Sequence, residues 1–151
     1  MNRLLPRFFD FENWANQQTL HSLEAMEHPP ERAVALMAHV AATPRVWLDR
    51  AFSLPQSVPV WPQWTLAQAR EELLTVLQEW TRVIATGDLS RAFAYTNTRG
   101  QQFSSTLGDA ALHVVFHGSY HRGQIAALVR QHGGEPAYTD FIQAVRSGAV
   151  K

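Results

Sequence analysis

The sequence contains no cysteine, and its only lysine is the last residue, Lys151. Without cysteine there are no disulfides, no thiolate metal sites and no cysteine nucleophile. Any transition-metal site in this chain must therefore be built from histidine and carboxylate. The lack of cysteine also fits a reducing compartment. Positive charge is not in surplus either: thirteen basic residues face thirteen acidic ones, and the formal net charge is zero. No Lys/Arg cluster stands out, so neither nucleic acid nor an anionic membrane is an expected partner. No apolar run is long enough to span a bilayer. The N-terminus, "MNRLLPRFFDFENW", has no apolar stretch leading to a small-residue cleavage site. These absences together predict a soluble cytoplasmic protein.

What is present is core material. Apolar residues make up 46% of the chain, with five Trp and eight Phe. That suits a single domain over residues 1–151 with one core. Four long stretches read as helices. The first runs from about Phe8 to Met26, rich in aromatics at its start and imperfect in period. "HPPE" breaks the chain, and Pro29 and Pro30 suit the first turn of a second helix, "ERAVALMAHVAATPRVWLDRAF". Pro44 lies inside that helix and predicts a kink near Val40 to Thr43. The following "SLPQSVPVWPQW" is too apolar for a free linker and is expected to pack over one end of the bundle.

Thr65, with Gln68 three residues on, opens a third helix with a capping box. Leu73, Leu77, Trp80 and Ile84 form its apolar stripe, and Gly87 ends it. In "RAFAYTNTRGQQFSST" (residues 91–106), Phe93 and Tyr95 alternate with smaller residues around an "NTRG" turn, which predicts a short hairpin. Thr106, with Asp109 three on, opens the fourth helix, which stops at Gly133-Gly134. Thr139 and Asp140 are placed to cap a short last helix, "DFIQAVR". The expected fold is all-α: a four-helix bundle with long connections, a short β-hairpin before the last long helix and a short C-terminal helix. Simple up-down-up-down order is not required by connections of this length.

Chemistry concentrates in "HVVFHGSYHRGQ", residues 113–124. Residues four apart share a helix face, so His117 and His121 can point at one ion, with metal–nitrogen distances of about 2.0–2.1 Å. Two ligands from one helix need a third from elsewhere, and His39, flanked by apolar residues on the second helix, is the natural donor. Three nitrogens plus water describe a catalytic-type site, and such a donor set suits Zn, Ni, Fe or Mn in differing degree. The alternative is that these are hydrogen-bonded helix histidines without metal. His113 lies a further turn away, where it can line the pocket, support a ligand by a hydrogen bond or serve the fold.

Gly118 and Gly123, inside the helix, are expected to let another helix or a ligand approach. Arg122 and Gln124 beside the ligand turn, together with Tyr120, are the candidates for catalytic residues that orient a substrate. Glu12, Glu24, Glu27 and Glu31 read as exposed helix residues, Asp49 and Arg50 as a solvated pair or bundle-end contact. His21, His28 and His132 read as surface or helix-end residues. The five Trp read as core and loop packing, with one or two available to line a pocket.

"HVVFHGSYHRGQIAALVRQHGGEPAYTDFI" resembles the C-terminal signature of the DinB family, within the DinB/YfiT-like metalloenzyme superfamily. "LMAHVAATPRVWLDR" resembles its second-helix motif and "FFDFENWANQQTL" its first helix, so the resemblance spans nearly the whole chain. It implies a four-helix bundle of unusual connectivity, a homodimer, and a metal site of His39, His117 and His121, with Zn or Ni the first choices and Fe or Mn next. Related mycothiol-dependent isomerases and bacillithiol transferases use the metal to activate a low-molecular-weight thiol. The resemblance thus implies a thiol-dependent S-transferase or hydrolase acting on a small-molecule electrophile. A non-catalytic metal- or ligand-binding stress-response protein is the competing expectation, and a bundle with an empty relic site is the third.

Overall fold

The computed structural model describes residues 4–151. It holds five helices and one hairpin, in the order α1 (Leu4–Glu24), α2 (Glu31–Ala51), α3 (Leu66–Thr86), β1 (Ala92–Thr96), β2 (Gln102–Thr106), α4 (Leu107–Gln131) and α5 (Phe141–Arg146). The expected all-α bundle with its hairpin and short last helix is what forms. Among the described residues no helix is long and apolar enough to cross a membrane.

The long helices do not pack in chain order. α2 packs chiefly on α3 and α4, and α1 on those same two, so α1 and α2 face each other across the bundle diagonal. This arrangement sets the second helix directly against the fourth, which brings histidines distant in sequence together.

Local signals account for most helix ends. Thr65 Oγ1 accepts from the Gln68 amide while Gln68 Oε1 accepts from the Thr65 amide, closing the anticipated capping box. Thr106 and Asp109 do the same for α4. Pro30 occupies the N-cap of α2, one residue before its first turn. At α5, Asp140 occupies the N-cap, but its carboxylate makes no capping hydrogen bond, and it interacts with Tyr138. The backbone carbonyl of Asp140 takes the amides of Gln143 and Ala144.

α2 continues without a break from Glu31 to Ala51 through Pro44. The Pro44 carbonyl accepts from the indole of Trp80 at 2.9 Å, which ties α2 to α3 in the core. The α3 stripe is buried as its spacing predicts, with Leu73 and Trp80 fully so. Arg45 extends the tie outward, holding Glu72 at 2.9 Å and Glu79 through two bonds of 2.7 Å.

The hairpin pairs Ala92 with Thr106 and Tyr95 with Phe103. Asn97 Oδ1 closes its turn on the amides of Arg99 and Gln101, with Gly100 at φ 77°. Phe93 and Tyr95 share one strand face, and both rings contact Trp47 of α2. The hairpin therefore lies against α2, with its turn close to the histidines.

Candidate metal centre

His39, His117 and His121 come together as the sequence spacing suggests. Each presents one ring nitrogen, and these nitrogens lie within 4.8 Å of one another. The Nε2 atoms of His39 and His117 are 2.9 Å apart. Ring centroids in the trio are separated by 4.4 to 4.9 Å. The site is partly withdrawn from solvent: His39 is 7% exposed, and the other two are of intermediate burial.

Hydrogen bonds behind the rings decide which nitrogens are open. His39 Nδ1 lies 2.6 Å from the Val60 carbonyl, which can only accept. Nδ1 therefore carries the proton, and Nε2 presents a lone pair. His121 Nδ1 lies 2.6 Å from Gln124 Oε1, satisfied in the same way. His117 Nδ1 is buried without a partner, so that ring's one polar contact is its Nε2, 2.9 Å from His39 Nε2.

Burial, and then the neighbouring His39 and His121, push the His117 pKa down to about 3. Burial, only partly offset by the Val60 hydrogen bond, also lowers that of His39. Neutral imidazoles are the form that ligates metal. Two lone pairs facing each other at 2.9 Å repel unless a proton or cation lies between them. Three converging imidazoles, two of them with backs tied by an amide and a backbone carbonyl, are the donor set that a divalent transition metal takes.

The apolar loop between α2 and α3 does more than cover a bundle end. It delivers the Val60 carbonyl, and it lays Trp61 flat on the His39 ring, with centroids 3.7 Å apart and planes within 5°. Arg32 stacks on the outer face of the same indole. Neither Val60 nor Trp61 is marked by sequence. A backbone carbonyl carries no signature, and Trp61 reads as any loop tryptophan.

A cleft of about 220 Å³ opens beside the histidines. His39 and His117 form one wall, with His113, Trp47, Arg50 and the hairpin turn residues Asn97 and Thr98 around it. His113 thus lines the cleft, its ring 4.9 Å from Trp47 and 5.4 Å from His117. A larger cleft of about 450 Å³ lies between α1, α4 and α5, lined mainly by Phe8, Phe11, Phe116 and Phe141. It contains no histidine, so the chemistry favours the smaller one.

The residues expected to orient a substrate occupy three different settings. Gln124 is committed to His121. Its i+3 position after that histidine is a helical spacing that could have revealed the pairing. Tyr120 is 67% exposed, its ring 5.1 Å from His121 at the rim. Arg122 is 2% exposed and faces α1. Its Nη1 donates to Glu12 Oε1 at 2.9 Å and to Asn16 Oδ1 at 2.8 Å, and its Nη2 to Ser119 Oγ.

Several readings of single residues need correction. Glu12, expected on the surface, is 1% exposed because Arg122 and Asn16 enclose it. Asp49 is not paired with Arg50. It is buried and accepts from the amide and hydroxyl of Ser57 at 2.8 and 2.7 Å, which anchors the loop that carries Val60. Gly118 does admit a close neighbour: a Cβ there would collide with Glu12 Oε1 and stand 2.7 Å from Arg122 Nη1. At Gly123 no helix packs close, since nothing lies within 4 Å of such a Cβ, and the residue lines the larger cleft instead.

The chain is 24% identical over 154 residues to Protein DinB of Bacillus subtilis (strain 168), covering 89% of this chain and 90% of that protein. The model of the DinB family matches residues 1–148, a span that includes all three histidines and both helices that carry them, and the chain therefore belongs to the DinB family.

Proposed function

We propose that this chain is a divalent-metal-dependent enzyme acting on a small electrophile, as a thiol-dependent S-transferase or a hydrolase. The observation that carries this reading is the convergence of three imidazoles beside an open cleft. A divalent ion, when bound there, supplies Lewis acidity that lowers the pKa of a water or thiol enough to give a nucleophile near neutral pH. Zn and Ni suit the three-imidazole set best, with Fe or Mn next.

The protein's own groups have separable tasks. Val60 and Gln124 fix the planes of His39 and His121. Trp61 keeps water from one face of His39. His113, in the cleft wall beside His117, is the group placed to take or give a proton. Tyr120 stands at the rim, where a substrate would pass it. Arg122 acts through the helix, holding α4 against α1 rather than reaching the cleft. A cleft of about 220 Å³ is smaller than the roughly 300–1,000 Å³ of drug-sized sites. A low-molecular-weight thiol such as bacillithiol or mycothiol would insert only its sulfur end. We also assign the protein to the cytoplasm, and to a homodimer formed through the apolar surface around Phe116 and Ile142, both more than half exposed; light scattering tests the latter.

One observation favours a second reading, a non-catalytic metal- or ligand-binding stress-response protein. Among the described residues no carboxylate lines the histidine cleft to serve as a general base. The first test is the metal content of untagged protein. Wild type loaded with Zn²⁺ or Ni²⁺ is expected to hold about one equivalent, and His117→Ala less than about a tenth. A wild-type protein that stays below a tenth after loading ends the metal reading. Assays with bacillithiol, mycothiol and glutathione on model electrophiles follow. Turnover supports the transferase, and its absence with every thiol shifts the conclusion to the binding protein.

A further inference from the structure

Arg50 is placed unlike any other arginine withdrawn from solvent. Five of the described arginines are buried or half-buried: Arg7, Arg45, Arg50, Arg70 and Arg122. Four of them donate to oxygen: Arg7 to the Lys151 carbonyl, Arg45 to Glu72 and Glu79, Arg70 to Gln17 and Glu24, and Arg122 to Glu12 and Asn16. The Arg50 side chain makes no hydrogen bond or ion pair among the described residues. Its guanidinium rests on two aromatic rings, 5.0 Å from the centre of Trp47 and 5.1 Å from that of Tyr95. Desolvation in this position works against its charge and lowers its pKa. A half-buried cation with no acceptor in the protein is open to an acceptor from a ligand.

Its surroundings specify which ligand. Contact with the Trp47 and Tyr95 rings positions the guanidinium and uses none of its N–H groups, which are the groups that grip a carboxylate through two parallel hydrogen bonds. Arg50 borders the same cleft as His39, His113 and His117. It also borders a second cleft, lined by Asp49 and containing no histidine. Along α2, His39, Thr43, Trp47 and Arg50 follow one another at helical spacing. Eleven residues separate the first from the last, about 16 Å along the axis. An arginine side chain leaning back toward the helix N-terminus closes part of that span. What remains fits a molecule with an anionic group at one end and its reacting atom at the other.

We propose that Arg50 is the substrate-anchoring residue of the histidine cleft, and that the substrate is a small carboxylate held by its carboxyl group against Arg50 with its opposite end toward His39 and His117. The assignment rests on the reading of the three histidines as the reactive site, but it is tested without turnover and without metal. Benzoate and its uncharged near-isostere benzamide are titrated by calorimetry into metal-free and into Zn²⁺-loaded protein, using wild type, Arg50→Gln and Arg50→Lys. The side-chain Nε resonance of Arg50 is followed by NMR.

Metal-free wild type should prefer benzoate over benzamide by roughly tenfold or more, the scale of one charge-assisted pair, and benzoate should shift the Arg50 resonance. Arg50→Gln should erase the preference, and Arg50→Lys should keep part of it. A preference that survives Arg50→Gln overturns the proposal, as does a wild-type protein that binds no benzoate at about 10 mM, a concentration that would reveal even millimolar affinity. If Zn²⁺ uptake fails while the benzoate preference still follows Arg50, the metal reading falls and the anchor stands. If Zn²⁺ binds while the preference ignores Arg50, the anchor falls and the metal reading stands.

Discussion

Two side-chain pairs leave α4 one residue out of phase, and they do opposite things. His117 and His121 face α2, where His39 meets them. Gly118 and Arg122 face α1, where Glu12 and Asn16 meet them. Both sites are withdrawn from water, with His39 7% and Arg122 2% exposed. Burial therefore does not separate a site from a strut. Open valence does. On the α2 side, hydrogen bonds are made behind the rings, and the forward nitrogens are left facing one another. On the α1 side, both Nη atoms of Arg122 are engaged within the protein, and the helices close so tightly that only a glycine fits at position 118.

The largest effect should come from breaking the α1 side. Arg122→Ala leaves the Glu12 carboxylate buried without its cation, a change that costs about 3–5 kcal/mol. For a chain of this length that corresponds to roughly 10 °C or more in Tm, readable by circular dichroism. The comparison makes a second demand. Below its melting temperature the variant should still take up metal as wild type does, because the three imidazoles and their partners Val60 and Gln124 are untouched. Metal uptake lost together with stability would show that the two faces of α4 act as one unit.

A smaller effect belongs to the histidine side and is read in metal-free protein. The folded pKa of His117 is pushed down to about 3 by burial and then by the neighbouring histidines, against about 6.5 in an unfolded chain. The unfolded state therefore binds the proton first as pH falls. The stability associated with neutral His117 is complete above about pH 6.5 and is lost progressively toward pH 3. From pH 7 to pH 4 the shift sets a ceiling of about 3.4 kcal/mol, and partial exposure of the site reduces this to about 2. His117→Gln should flatten urea-derived stability over that window by this difference relative to wild type. Parallel pH profiles for the two proteins would remove His117 from the account.

How far sequence reaches differs between the same two faces. His117 and His121 are legible because helix geometry turns a four-residue step into a shared direction. His39 is legible as the one histidine of α2, flanked by apolar residues. Helix ends at Thr65 and Thr106 are legible because their capping partners lie three residues away. Partners distant in sequence are not. Nothing in "FFDFENWANQQ" distinguishes Glu12 from an exposed acid, since its burial depends on which helix packs on α1, and the diagonal arrangement of α1 and α2 is decided by packing among all four helices. Val60 acts through its backbone, which has no residue-type signature. Asp49 and Arg50, adjacent in sequence, read as a pair yet part company, because the helix sends one to Ser57 and the other to Trp47 and Tyr95.

The smallest effect sharpens the comparison most cleanly, because it uses two glycines on the same helix. Both cost the helix backbone entropy, worth up to about 1 kcal/mol against alanine. At position 123 a methyl group meets nothing within 4 Å, so Gly123→Ala should recover most of that cost and raise stability by about 0.5–1 kcal/mol. At position 118 the same methyl would press on Glu12 Oε1 and stand 2.7 Å from Arg122 Nη1, both held in a buried ion pair and unable to yield cheaply. Gly118→Ala should therefore lower stability despite the gain in helix propensity. Opposite signs in paired chemical-denaturation curves would place the tight contact at the α1 face alone. A stabilising Gly118→Ala would mean that Glu12 and Arg122 can move apart, and the contrast between strut and site would lose its steric half.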